Sequence, residues 1–244
     1  MRTLRAALLW AGIGLATLLF GLPAVVAAFV PPRGDWFLRF ARGWARTILF
    51  MSGVPLRVSG RERLASLSSG SAVIVANHES LADILVLLAS LPIQVRFLAK
   101  RRIFSVPVLG WSIRAAGFIP VDRGDQRRGA ATFEAAMARL QGGRSVIVFP
   151  EETRTRTGEL LPFKKGAALL ALRSGLPILP VGIAGTRREL PRDTLLPSAG
   201  PAAVVIGEPI PVAGRPVTER AKLTEEARIA VAQLRDEAAR ALGR

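Results

Sequence analysis

Residues 6 to 30 carry no charged side chain. A run that long and that apolar belongs in hydrocarbon or in a large core, and in hydrocarbon it must satisfy its own backbone as a helix. Arg2 and Arg5 precede the run and Arg33 follows it, so the charge bias around it sets no orientation. It exceeds the apolar stretch of a cleaved signal peptide, although Ala27-Ala28 imitates a cleavage site. Pro23 is expected to end or kink the helix. Beyond Pro31-Pro32, residues 35–52 form a second element. As a helix it gathers Arg39, Arg42 and Arg46 within about 60° and sets Phe37, Phe40, Trp44 and Ile48 opposite. Such a pattern fits an interfacial helix, and it fits equally a surface helix packed on the domain. Either the first run spans a bilayer with Arg33 onward cytoplasmic, or the two segments form a hairpin dipping into one leaflet. Both arrangements make 1–54 a membrane-anchoring unit and hold a domain, 55–244, at the membrane surface.

The formal net charge is +16, yet half the residues are apolar. That pairing suits an anionic phospholipid membrane better than nucleic acid, because the aromatic residues concentrate in the first fifty positions instead of among the basic clusters. The chain has no cysteine and one histidine. Disulfides, thiolate catalysis and Cys- or His-rich metal sites are thereby excluded, and nothing calls for a metal or a cofactor.

From residue 55 onward short apolar runs alternate with helical patterns. Strands are expected over 72–76, 94–99, 118–121, 145–149, 178–183 and 203–206. Helices are expected over 81–90, 104–115, 127–141, 164–173 and 218–242. This alternation predicts an α/β layer fold.

The one histidine, His78, follows the first of these strands and precedes the first helix. Open α/β sheets place their sites at such strand ends. His78 and Asp83 would point about 140° apart on a single helix and could not meet. They meet if His78 lies in the loop and Asp83 in the first helical turn. Asp83 then fixes the imidazole tautomer and leaves the other nitrogen to take a proton from an alcohol. A competing reading makes Ser80-x-x-Asp83 a capping box, and the two roles are compatible. Ser80 lacks the Gly-x-Ser-x-Gly elbow of a serine nucleophile and is read as an N-cap. Asn77 either holds a loop carbonyl or helps polarise a substrate.

Two further strand ends carry polar clusters. One is Asp122-Arg123-Gly124, where an arginine beside a glycine suits a phosphate, or else forms an Asp–Arg surface turn. The other is Glu151-Glu152-Thr153-Arg154, a carboxylate, hydroxyl and guanidinium together. Lys100-Arg101-Arg102 and Lys164-Lys165 add positive charge at neighbouring positions.

Four of these stretches, in the same order, resemble the sequence blocks of the glycerolipid acyltransferases. Asn77-His78-Glu79-Ser80-Leu81-Ala82-Asp83 matches the NHxxxxD block. Gly117 through Arg123, Phe149 through Arg154 and Leu176 through Val181 are similar to the second, third and fourth blocks. The resemblance covers roughly residues 55 to 210. It implies a mixed central sheet flanked by helices, and transfer of an acyl chain from acyl-CoA or acyl carrier protein to the 2-hydroxyl of a lysophospholipid acceptor, 1-acylglycerol-3-phosphate. By the same resemblance His78 is the general base and Asp83 its orienter. Arg123, Gly124, Glu151, Thr153 and Arg154 belong to the acceptor site, with Lys100 a further candidate, and the domain works on the cytoplasmic face of the inner membrane. One position departs: the family block has glycine where this chain has Glu152. A carboxylate facing the pocket there would favour another acceptor, such as a lyso-ornithine lipid, or a non-catalytic lipid-binding protein on the same scaffold. One turned outward, or paired with Arg154 or Arg156, would not.

Overall fold

The computed structural model describes residues 2–30, 36–67, 70–121, 126–155, 157–189 and 198–243. Its centre is a seven-stranded mixed sheet. In chain order the strands are β1 (Leu56–Ser59), β2 (Val73–Ala76), β3 (Val95–Lys100), β4 (Ile119–Val121), β5 (Ser145–Val148), β6 (Ile178–Ala184) and β7 (Ala202–Ile206). They are arranged β1-β7-β6-β2-β5-β3-β4. All neighbours are parallel except β6 and β7. β2 sits between β5 and β6, and its four residues are all buried. A strand covered on both faces reads as a continuous apolar run, which is why Val73-Ile74-Val75-Ala76 shows no alternation.

Successive side chains of the central strands feed opposite layers, as the two-residue strand period requires. Ile74, Ala76, Leu179 and Val181 face the layer holding α3 (Ala82–Ser90). Val73, Val75 and Ile178 face the layer of α5 (Gln126–Gln141), α6 (Gly166–Ser174) and α8 (Arg220–Ala241). Gly182 admits the backbone of α8, since a Cβ there would lie 2.2 Å from the Leu234 carbonyl carbon.

The expected strands all form. β1 was not anticipated: at four residues with every other one half-buried, it is too short to show a pattern. The helix expected over 104–115 is shorter, because Pro107 cannot continue it. A 3-10 turn occupies Arg101–Ser105 and α4 begins at Leu109, running to Ala115. Pro23 does not end its helix, since α1 runs from Arg2 to Ala27. The turn around Pro23 packs against α4, where Ser112 Oγ, 2.7 Å from Val108 O, also lies 3.0 Å from Gly21 O.

α1 and α2 (Phe37–Met51) form an antiparallel hairpin. Met51 lies against Gly12, Gly43 against Phe20, and Trp44 Nε1 donates to Thr17 Oγ1 at 3.1 Å. α2 packs on the domain by its apolar face. Phe37, Leu38, Ala41, Ala45 and Leu49 join the core around α3. Arg42 leaves the basic stripe and donates to the carbonyls of Leu91 at 3.1 Å and Ile93 at 2.7 Å, satisfying backbone beyond the end of α3. α1 packs on one side only. Leu8, Leu15, Leu19, Leu22 and Val26 remain exposed and fall within about 60° of one another on the helix. Residues 6–27 are long and apolar enough to cross a membrane.

Candidate active site

The C-terminal ends of β5, β2 and β6 lie side by side, and each delivers a polar loop. His78 stands two residues past β2 and Asp83 opens α3, as the loop-plus-first-turn reading requires. His78 Nδ1 and Asp83 Oδ2 are 2.8 Å apart. Asp83 is fully buried, and its Oδ2 also accepts the backbone N–H groups of Glu79 at 2.7 Å and Ser80 at 2.9 Å. Its Oδ1 accepts Thr186 Oγ1 at 2.5 Å. A carboxylate in that position accepts from Nδ1, so Nε2 carries the lone pair. The imidazole stacks on Phe149, with centroids 4.1 Å apart and planes at 17°. Its side chain is 13% exposed.

Half of the capping box forms as well. Asp83 reaches back to the N–H of Ser80, but Ser80 Oγ accepts from Ala82 N at 3.2 Å. Ser80 is wholly buried, which agrees with a structural role. Asn77 holds backbone: its Nδ2 donates to Ile183 O at 2.9 Å and its Oδ1 accepts from Ile183 N at 2.8 Å, tying the loop to β6.

Glu151 is buried beneath the histidine loop. Its Oε1 accepts the N–H of His78 at 2.7 Å and its Oε2 the N–H of Leu161 at 2.8 Å. Burial raises its carboxyl above the usual range, while these two backbone donors pull the other way. Thr155 N donates to His78 O at 3.0 Å. The loop after β5 is thus laced to the loop after β2 at two points, and the half-buried Thr153 and Arg154 lie between them. Lys100, at the end of β3, is exposed. Arg123 and Gly124 lie outside the described residues. Glu152 is exposed and adopts φ 57°, the left-handed region where glycine is at ease and a side chain is strained. A glycine at this position is therefore explained by the turn itself, without any ligand.

Glu79 is buried beside the dyad and was not anticipated as special. Burial raises its carboxyl to about 8, the Asp83 charge adds to the shift, and Arg235 and Arg187 oppose it. It is mostly protonated at neutral pH, and Asn77 Nδ2 lies 3.3 Å from its Oε1.

An apolar cavity of about 390 Å³ opens between the α1–α2 hairpin and the sheet. Phe20, Phe40, Leu85, Phe97 and Ile113 line it, together with Leu81 and Ala82 from the segment joining His78 to Asp83. Among the described residues no group of histidines and carboxylates is arranged to hold a metal.

A histidine at a strand end whose Nδ1 is held by a buried carboxylate can take a proton at Nε2. The chain belongs to the acyltransferase family, whose model matches residues 55–184. It is 34% identical over 194 residues to the chloroplastic 1-acyl-sn-glycerol-3-phosphate acyltransferase LPAT1 of Arabidopsis thaliana, covering 79% of this chain and 53% of that protein. With the enzyme of the same name from Helicobacter pylori it shares 36% identity over 49% of this chain and 51% of the relative. The chain thus spans about half the length of these curated relatives. The crystal structure of the 1-acyl-sn-glycerophosphate (LPA) acyltransferase PlsC from Thermotoga maritima superposes with a TM-score of 0.79 at 25% identity, over 97% of both chains.

Proposed function

We propose that this protein transfers an acyl chain from a thioester, on CoA or acyl carrier protein, to the 2-hydroxyl of 1-acylglycerol-3-phosphate, yielding phosphatidic acid. The observation that carries the reading is the 2.8 Å contact between His78 Nδ1 and Asp83 Oδ2, which leaves Nε2 to act as a base. Nε2 takes the proton of the acceptor hydroxyl as its oxygen attacks the thioester carbonyl, and Asp83 stabilises the imidazolium. The tetrahedral intermediate collapses, the C–S bond breaks, and the departing thiolate takes the proton back from His78. No acyl-enzyme is needed, in keeping with a chain that has no cysteine and a buried Ser80.

The acceptor phosphate is assigned to Arg154 and Arg123, with Thr153, Gly124 and Lys100 as further contacts. Glu151 supports that site from beneath through backbone. The apolar cavity takes an acyl chain, and its volume is in the usual range for a ligand site. Residues 1–54 anchor the 55–244 domain, with the leucine face of α1 in the bilayer. The domain lies on the cytoplasmic face of the inner membrane, where anionic lipid meets a chain of net charge +16. The exposed Glu152 makes the phosphate-bearing acceptor the simpler choice over a zwitterionic lyso-lipid.

Thiol release from acyl-CoA, followed with 1-acylglycerol-3-phosphate and with lyso-ornithine lipid, tests this. The expected result is turnover with the phosphate acceptor, abolished in His78→Ala while the fold persists. Turnover confined to lyso-ornithine lipid would reassign the acceptor, and none with either acceptor or donor would leave a lipid-binding protein.

A further inference from the structure

Asp83 has two oxygens, and they are held by different parts of the chain. Oδ2 receives three donors from its own loop: His78 Nδ1, Glu79 N and Ser80 N. Oδ1 receives the hydroxyl of Thr186, which opens α7 (Thr186–Glu189) immediately after β6. Three donors on one oxygen locate that oxygen but leave the carboxylate free to swing about it. A fourth, on the other oxygen, defines the plane of the group. The direction in which Oδ2 meets the imidazole follows from that plane.

Thr186 is well placed for this task. It is completely buried, and its bond to Asp83, at 2.5 Å, is as short as charge-assisted O–H···O⁻ bonds become. Gly185 delivers it through φ 100°, at a point where a Cβ would lie 2.3 Å from Pro201 O. The β-branched side chain restricts χ1, so the hydroxyl has few alternatives. The family model's match stops at residue 184, just short of it.

We propose that Thr186 is a positioning residue for acyl transfer: its hydroxyl orients the Asp83 carboxylate and, through it, the ring of His78. The kinetic arm of this proposal rests on the acyltransferase reading above. The structural arm does not, because the chain holds a single histidine and a ¹⁵N-histidine spectrum reports on that ring alone.

The test compares Thr186→Val, which keeps the shape and removes the hydroxyl, with Thr186→Ser, which keeps the hydroxyl. In full-length protein the wild-type spectrum should show the proton on Nδ1, the nitrogen that faces Asp83. Thr186→Val should mix the tautomers and lower kcat about 10- to 100-fold with KM for both substrates within about twofold, as small misplacements of reacting groups do. Thr186→Ser should keep the wild-type spectrum and most of the turnover. A Thr186→Val protein with the wild-type spectrum and kcat within twofold overturns the proposal, as does equal impairment of both variants. If Thr186→Val does not fold, Thr186→Cys takes its place, and the order Thr, Ser, Cys in both readouts is required; equality of Ser and Cys overturns it. Wild-type protein that releases no thiol would sink the acyltransferase reading instead, and the spectra would still decide the role of Thr186.

Discussion

Glu151 Oε1 accepts the backbone N–H of His78 at 2.7 Å, so the carboxylate of one loop holds the histidine of another by its main chain. With Oε2 committed to Leu161, both oxygens serve backbone donors. Glu151→Gln would turn an NH₂ toward one of those donors and leave a buried group unpaired, at a cost of about 1–3 kcal/mol. We expect urea denaturation to show that loss and kcat to fall on the order of tenfold as the ring shifts, with the KM for the acceptor little changed. A rise in acceptor KM at unchanged stability would instead place Glu151 against the acceptor.

Glu152 occupies a left-handed turn position with an exposed side chain. Replacing it with glycine removes roughly 1 kcal/mol of backbone strain, less part of that for the greater freedom of the unfolded chain. Glu152→Gly should melt slightly higher and use 1-acylglycerol-3-phosphate within about twofold of wild type. A large change in acceptor preference would show that the carboxylate senses the substrate after all.

Glu79 makes stability depend on pH with a definite sign. Its folded carboxyl is raised from 4.5 to about 8, so between those values the native state holds a proton that the unfolded state has lost. Stability from this group therefore falls as pH rises through that window, by at most about 1.4 kcal/mol per pH unit. Glu79→Gln removes the dependence. Chemical denaturation at pH 5 and pH 8.5 should find the variant gaining on wild type at the higher pH; a constant difference between them would contradict the burial argument.

The outward stripe of α1 exposes Leu8, Leu15, Leu19, Leu22 and Val26. Leu15 and Leu19 are 57% and 64% exposed, so changing them disturbs little internal packing. A Leu15→Glu/Leu19→Glu variant should keep its melting temperature and lose at least about tenfold in partitioning to anionic vesicles, given the cost of carboxylates in hydrocarbon. Undiminished flotation with vesicles would remove α1 from the membrane contact.

Much of the protein could be read from its residues in order. The apolar run of 6–30, the strand and helix alternation and the His78–Asp83 pair are all local patterns, legible because helix and strand periods place near neighbours predictably. The partners of the dyad are of another kind. Glu151 reaches His78 from 73 residues away and Thr186 reaches Asp83 from 103. Those contacts exist because β2 settles between β5 and β6, an order that no local period encodes. The same holds for α2, whose packing against α1 and α3 its two-faced pattern alone did not specify. Residue spacing decided which side chains could meet along the chain; the pairing of distant strands decided which ones meet across it.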